Sequence, residues 1–130
     1  MVIHDDFTND NVTASGEPPR ATGVIDFALA HVEVPTADIG YALWRSGRPH
    51  EYADHLDLSR VRRYMRGYAT VATVSAADAS IIPVYLTGRG LQMIAKRVRA
   101  GRPDIAMLAQ VQWLSANAPV IGDVLTAALP

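Results

Sequence analysis

The sequence has 130 residues, of which 49% are hydrophobic and 19% are charged, and its formal net charge is −1. This composition excludes a disordered chain, and the length is typical of one globular domain, which we place at 1–130. Because there is no cysteine, disulfide bonds and thiolate metal sites are excluded as well. No apolar stretch approaches the roughly 20 residues of a membrane span and no signal peptide is recognisable, so we expect a cytoplasmic protein without a membrane partner.

Basic residues are concentrated between Arg60 and Arg102, where seven further arginines and lysines face only Asp78. Such a run is either a surface for anions or nucleic acid, or the solvated face of two helices. No aromatic residues alternate with the basic ones as a nucleic-acid groove requires. We therefore expect no nucleic-acid partner.

The amino-terminal region contains two short apolar runs that each lead into carboxylates. Val2-Ile3 precedes His4-Asp5-Asp6, and Gly23-Val24-Ile25 precedes Asp26-Phe27. The segment 13–22 between them holds a glycine and two prolines, which predicts a turn. Since ionised aspartate is rarely buried without a partner, two such strand ends indicate convergence on one charged group, such as a metal ion.

A short β-hairpin is the natural interpretation of this region. Val12 lies on one arm and Val24 on the other, so that Asn11 and Asp26 meet at one end of the hairpin. Residues 28–35 are predicted to form a loop, and extended structure is predicted only before Asp26.

The rest of the chain predicts helices. Thr36 can cap a helix that ends near Ser46, Asp57 or Ser59 caps the next, and Ser75 with Asp78 has the form of a capping box. Prolines fit the first position of three further helices; they are Pro83, Pro103 and Pro119. The predicted fold class is therefore α+β and predominantly α, a small β-hairpin followed by a bundle of some five helices.

The spacing of polar residues matches a phosphoryl-transfer site. His4, Asp6 and Asn11 have the spacing of the His-x-Asp-x-x-x-x-Asn loop of kinases, and Asp26-Phe27 resembles the later Asp-Phe-Gly element. With Gly23-Val24-Ile25 before Asp26, and with Pro35-Thr36-Ala37-Asp38-Ile39-Gly40 further on, the chain resembles the aminoglycoside phosphotransferase, choline kinase and homoserine kinase-like family. It departs from the family pattern where Asp5 and Ala28 replace glycines.

The resemblance covers only the carboxyl-terminal half of such an enzyme and implies the C-lobe of a protein-kinase-like fold. Residues 1–28 would form the catalytic loop and metal-binding hairpin, and 36–129 the helical subdomain. The amino-terminal lobe, with its phosphate-covering loop and nucleotide-binding lysine, has no counterpart in these residues. We therefore expect weak or absent activity from the chain alone, and either a separate lobe or self-association to cover the cleft.

The resemblance also implies a function and a set of roles. The reaction is transfer of the γ-phosphate of ATP or GTP to a hydroxyl of a small molecule, with Mg²⁺ as cofactor. Asp6 accepts the proton of that hydroxyl, and Asn11 and Asp26 bind the metal. His4 and Asp38 support the loop.

The region after the first predicted helix contains an acidic cluster, formed by Glu51, Asp54 and Asp57. Because the family often builds its acceptor site here, the cluster is a candidate site for a cationic substrate, and a solvated loop is the alternative. Two other functions remain open for the whole chain: a non-catalytic binding or regulatory protein descended from such a kinase, and an unrelated helical interaction module.

Overall fold

The computed structural model describes all 130 residues and shows two small antiparallel sheets followed by four helices. The strands are β1 (Val2–Ile3), β2 (Val12–Ser15), β3 (Arg20–Val24) and β4 (His31–Val32), with a 3-10 turn at Asn9–Asn11. The helices are α1 (Pro35–Ser46), α2 (Leu58–Ala69), α3 (Ala76–Arg99) and α4 (Ile105–Thr126). The predicted α+β class with predominant helix is confirmed.

The predicted hairpin is formed by β2 and β3. Val12 lies opposite Val24, and an irregularity between Thr13 and Ala14 accommodates one extra residue in β3. Gly16 in the connecting turn has a φ of +89°, a conformation that glycine adopts without a steric penalty. The hairpin therefore reverses the chain, so that the residues after β3 lie beside the residues before β2.

The prediction that extended structure ends before Asp26 is wrong, because β4 pairs with β1 in a second sheet. Ile3 lies opposite His31, and the N–H of Glu33 donates to the carbonyl of Met1 at 2.9 Å. β1 has no other strand to pair with, and β4 satisfies its backbone groups. The pairing brings two segments about 30 residues apart in sequence together, so no local pattern announces it.

Local capping explains where the helices begin. The Asp57 carboxylate accepts from the N–H groups of Ser59 and Arg60, at 2.8 and 3.2 Å, and so caps α2. The predicted capping box of Ser75 and Asp78 is present at the start of α3. Thr36 does not cap α1: Pro35 is the first helical residue, and Val34 before it makes no side-chain cap.

The prediction of five helices is wrong because two prolines lie inside helices instead of starting them. Pro83 is within the 24-residue α3 and Pro119 within the 22-residue α4. A proline inside a helix costs about 3 kcal/mol, but buried residues continue on both sides of each proline, so packing outweighs the lost hydrogen bond. Pro103 is also not a first residue, since Asp104 is the N-cap of α4.

The helices enclose one hydrophobic core, in which α3 packs against both α1 and α4. The largest fully buried side chains are contributed by all four helices; they are Ile39, Leu43, Val61, Met65, Ile82, Leu86, Leu114, Ile121 and Leu125. This core fixes α1 firmly, and α1 carries Asp38 towards the amino-terminal loop. None of the helices has the length and apolar character needed to cross a membrane.

Candidate active site

The carboxylate of Asp6 is held between its own loop and α1. Its Oδ1 accepts a 2.8 Å hydrogen bond from the Tyr41 hydroxyl, and its Oδ2 accepts one of 3.1 Å from the Asn11 amide. Asn11 donates a second bond, of 2.8 Å, to the Asp6 carbonyl. Burial, reinforced by the hydrogen bond to Asp6, raises the pKa of Tyr41. Tyr41 is therefore a protonated donor at neutral pH, and Asp6 has a fixed orientation.

His4 connects this loop to the strand end that carries Asp26. Its side chain is buried, with 6% of its surface exposed. Nδ1 lies 3.3 Å from the N–H of Asp6 and accepts from it, so Nε2 carries the proton and donates to the carbonyl of Ile25 at 2.9 Å. The ring also contacts Phe27, with 4.7 Å between centroids. Through these contacts His4 links the loop to the segment that carries Asp26, and its supporting role stays a prediction.

Asp38 holds the backbone of the same loop from the side of α1. Its two carboxylate oxygens accept from the N–H groups of His4 and Asp5, at 3.2 and 2.9 Å. Asp5 has a φ of +57°, in the left-handed region that glycine favours. The family's usual glycine is replaced here, yet the backbone keeps the conformation that a glycine would adopt.

Two residues of this site are not part of the motifs, Tyr41 and Arg89. The Arg89 guanidinium lies 4.2 Å from the centroid of the Tyr41 ring, and its Nη1 is 3.6 Å from the Asp5 carboxylate. Tyr41 follows Asp38 by three residues on α1, so both side chains lie on one face of the helix. The position of Tyr41 near the loop could have been predicted from this spacing. Arg89 is 84 residues from Asp5, and no local signal identifies it.

Removal of the Asp38 carboxylate should loosen the loop. We expect Asp38→Ala to lower the free energy of unfolding by about 2 kcal/mol, because two backbone N–H groups lose a charged acceptor. Asp38→Asn keeps one oxygen acceptor and should lose about half as much. Urea unfolding measures both, with Asp123→Ala on the exposed face of α4 as the control. A loss in Asp38→Ala no larger than in the control would contradict this role.

Asn11 immediately precedes β2 and Asp26 follows the end of β3, and both side chains carry oxygens of a kind that Mg²⁺ binds. The N–H of Ile25 donates to the Asn11 carbonyl at 3.0 Å, which joins the two segments just before Asp26. Both Nδ2 hydrogen bonds of Asn11 go to Asp6, which leaves Oδ1 available to a cation. The exposed Asp26 carboxylate makes only a 3.4 Å bond, from Ala28. Carboxylate and amide oxygens are ligands that Mg²⁺ favours.

This pair does not constitute a complete protein cage for a metal ion. No group of three or more His, Cys, Asp or Glu side chains is placed to hold one. Mg²⁺ commonly binds through one or two protein oxygens and completes its shell with water and substrate phosphate. The residues present therefore fit a metal that arrives with a nucleotide.

The three residues of the predicted acidic cluster have different neighbours. Asp57 caps α2, and the Ser59 hydroxyl lowers its pKa. Asp54 accepts from His55 at 2.9 Å, a contact that lowers the pKa of Asp54. Glu51 lines a polar pocket next to residues 8–10, and Asp54 and Asp57 do not line it. Asp54 and Asp57 thus make local contacts, and the substrate-binding role of the three residues stays a prediction.

Comparison with known proteins agrees with the motifs. The model of the family described as "Phosphotransferase enzyme family" matches residues 1–74. The homoserine kinase of Brucella anthropi is 30% identical over 99 residues, which are 75% of this chain and 28% of that protein. The homoserine kinase of Granulibacter bethesdensis is 31% identical over 98 residues, 74% of this chain and 29% of that protein. The homoserine kinase of Brucella ovis is 28% identical over 99 residues, with shares of 75% and 28%.

The chain thus spans less than a third of the length of these curated relatives. No solved structure matches it. The family match covers more than half of the chain, including both motifs and Asp38. The predicted resemblance is confirmed, and this chain belongs to the phosphotransferase enzyme family.

Proposed function

We propose that the chain supplies the catalytic loop and the metal-binding residues of an ATP- or GTP-dependent phosphotransferase that acts on a hydroxyl of a small molecule. The observation that carries this proposal is the fixed carboxylate of Asp6, oriented by Tyr41 and Asn11. In the same proposal, the helices and hairpin form the C-lobe of a kinase-like fold. The family and the homoserine kinase relatives support it.

In the proposed reaction Asp6 accepts a hydrogen bond from the acceptor hydroxyl and takes its proton as the oxygen attacks the γ-phosphorus. The bond from phosphorus to the bridging oxygen breaks, and the nucleoside diphosphate leaves. Tyr41 and Asn11 keep the carboxylate in one orientation, so little reorganisation is needed when the acceptor binds. When Mg²⁺ is bound by Asn11 and Asp26, it supplies positive charge to the nucleotide phosphates.

The acceptor and the nucleotide also need surfaces. Because the relatives are homoserine kinases, we propose a short hydroxy amino acid as the acceptor.

Ile25, Phe27 and Leu29 expose 49%, 59% and 51% of their surface around Asp26. An apolar patch of this kind is suited to cover by another protein surface, and we propose a nucleotide-binding lobe or a second copy there. Ile3, which precedes His4, is buried with 4% of its surface exposed and does not contribute to this patch.

Metal binding gives a direct test of this function. We expect Mn²⁺, used as a spectroscopic substitute for Mg²⁺, to bind together with ATP, and Asp26→Asn to weaken that binding by about tenfold or more, since the only anionic protein ligand is lost. Electron paramagnetic resonance of free Mn²⁺ during titration measures the affinity. Asp10→Asn is the matched control. It makes the same chemical change next to Asn11, at a carboxylate that lies 3.7 Å from Arg45 and is not a proposed metal ligand. Equal affinity in wild type and Asp26→Asn contradicts the proposed metal site.

A further inference from the structure

Arg89 connects α3 to the loop that carries Asp6. Its Nη1 lies 3.6 Å from the Asp5 carboxylate, and its Nη2 donates to the carbonyl of Asp5 at 3.5 Å. Its guanidinium carbon also lies 4.2 Å from the centroid of the Tyr41 ring, whose hydroxyl donates to Asp6. One cation therefore contacts both the residue that precedes Asp6 and the residue that orients its carboxylate.

The ion pair of Asp5 and Arg89 is the one best shielded from water. These two side chains expose 19% and 21% of their surface, whereas both partners in every other ion pair expose 35% or more. Water and salt screen exposed ion pairs, which therefore contribute little, and partial burial reduces this screening. A guanidinium over an aromatic ring adds a cation–π attraction, here with Tyr41. The contacts of Arg89 are therefore suited to restrain its neighbours.

The backbone of Asp5 does not explain why a carboxylate occupies this position. Its φ of +57° lies in the left-handed region, which glycine adopts at a lower cost. The hydrogen bond from its N–H to Asp38 would be available to glycine as well. The carboxylate has one partner in the structure, Arg89. What the side chain adds to the loop is therefore this contact with α3.

A cavity of about 480 Å³ lies beside the Tyr41 ring, between β4, α1 and α3. Asp5, Tyr41 and Arg89 line this cavity, and Asp6 does not. An aromatic side chain that borders open space has room to change its rotamer, unlike one enclosed in a packed core. Such a rotation would break the 2.8 Å bond from Tyr41 to Asp6 and the contact with Arg89 together. Arg89 therefore opposes the loss of this bond.

We infer that Arg89 is a positioning residue for the carboxylate of Asp6. It acts through Tyr41, which orients the carboxylate, and through Asp5, which fixes the adjoining backbone. The inference rests on the proposed function for the role of Asp6 as the proton acceptor. Asn11 keeps its 2.8 Å bond to the Asp6 carbonyl whatever the orientation of the carboxylate. The contribution of Arg89 should therefore appear in the rate of transfer and not in nucleotide binding.

Three single variants separate positioning from stability. Asp5→Gly removes the carboxylate and suits the backbone φ, so we expect it to fold at least as well as wild type. Arg89→Met removes the guanidinium and keeps an unbranched side chain that can pack against the same surface. Arg97→Met is the matched control, since it makes the same change at an exposed position of α3. Urea unfolding establishes that each variant is folded.

The side-chain amide of Asn11 reports the position of the Asp6 carboxylate, because its Nδ2 donates to Oδ2 at 3.1 Å. This amide makes no hydrogen bond to Asp5 or Arg89. We expect its nuclear magnetic resonance signals to shift or broaden in Asp5→Gly and in Arg89→Met, and to stay unchanged in Arg97→Met. A role of Arg89 in stability alone would not move these signals in a folded variant. The measurement requires neither turnover nor nucleotide.

Single-turnover transfer from ATP to homoserine, with the protein in excess, gives the second measurement. We expect Asp5→Gly and Arg89→Met each to lower the rate about tenfold or more, while the affinity for ATP with Mn²⁺ stays within about twofold of wild type. The double variant should be little slower than the slower single variant, because both changes break the same contact. Arg97→Met should match wild type.

Three results would overturn the inference. The first is an Asn11 amide signal that stays unchanged in folded Arg89→Met or Asp5→Gly, and it decides the question even if wild type shows no transfer. The second is an unchanged rate in either variant of an active wild type. The third is a loss of ATP affinity as large as the loss of rate, which would place Arg89 in nucleotide binding. Failure of the proposed function is distinct: wild type and Asp6→Asn would transfer phosphate equally, while the Asn11 signals still respond to Arg89→Met.

Discussion

Replacement of Asp6 by asparagine should lower phosphoryl transfer by about two to four orders of magnitude, the usual contribution of a positioned general base. The fold should be retained, since asparagine can still accept from Tyr41 or Asn11 at the same positions. We expect the wild-type rate itself to be low, because Asp26 is exposed and competes with water for its metal. Transfer from radiolabelled ATP to homoserine, with the protein in excess over nucleotide, measures both rates.

Asp123→Asn provides the matched control for this comparison, because it makes the same chemical change on the exposed face of α4. Equal rates in wild type and Asp6→Asn would contradict a base at Asp6. No transfer above background by wild type, together with intact Mn²⁺ binding, would instead favour the alternative of a non-catalytic binding protein. The two experiments thus separate a phosphotransferase from a binding protein of the same descent.

The parts of the fold that could be predicted depend on neighbouring residues. The β2–β3 hairpin follows from a turn-forming segment between two apolar runs, and the starts of α2 and α3 follow from Asp57 and Ser75, whose side chains reach N–H groups within three residues. The motif predicted that Asp38 lies against the loop. In the structure its carboxylate accepts hydrogen bonds from the N–H groups of His4 and Asp5. The catalytic and metal roles of Asp6, Asn11 and Asp26 stay predictions.

The parts that could not be predicted depend on distant residues. β4 exists because β1 needs a partner, and Arg89 reaches the site because α3 packs along α1. Pro83 and Pro119 look like helix starts locally, but the buried stripes that continue through them are recognised only after α3 and α4 pack together. Asp54 and Asp57 have partners close by in sequence, His55 and Ser59, and the substrate-binding role of Glu51, Asp54 and Asp57 stays a prediction.

Gly88 and Gly90 show how similar sequence positions acquire opposite packing roles. Both lie in α3, where a glycine costs about 1 kcal/mol relative to alanine. A Cβ at Gly88 would meet nothing within 4 Å, whereas a Cβ at Gly90 would lie 2.4 Å from Val111 Cγ2 and 2.6 Å from the Trp44 ring. Gly90 therefore lies where Trp44 of α1 and Val111 of α4 both pack directly against the backbone of α3.

We expect Gly88→Ala to raise the free energy of unfolding by up to about 1 kcal/mol, because helix propensity improves without a steric cost. Gly90→Ala should lower it by about 2 kcal/mol or more, since overpacking at the contacts with Val111 and Trp44 exceeds the same gain in propensity. Urea unfolding followed by circular dichroism measures both variants. A Val111→Ala background removes one of the two contacts and should reduce the penalty of Gly90→Ala. If both variants changed the free energy of unfolding by the same amount and in the same direction, α1 and α4 would not pack against α3 at Gly90. The position of α1, which carries Asp38 and Tyr41, would then be wrong.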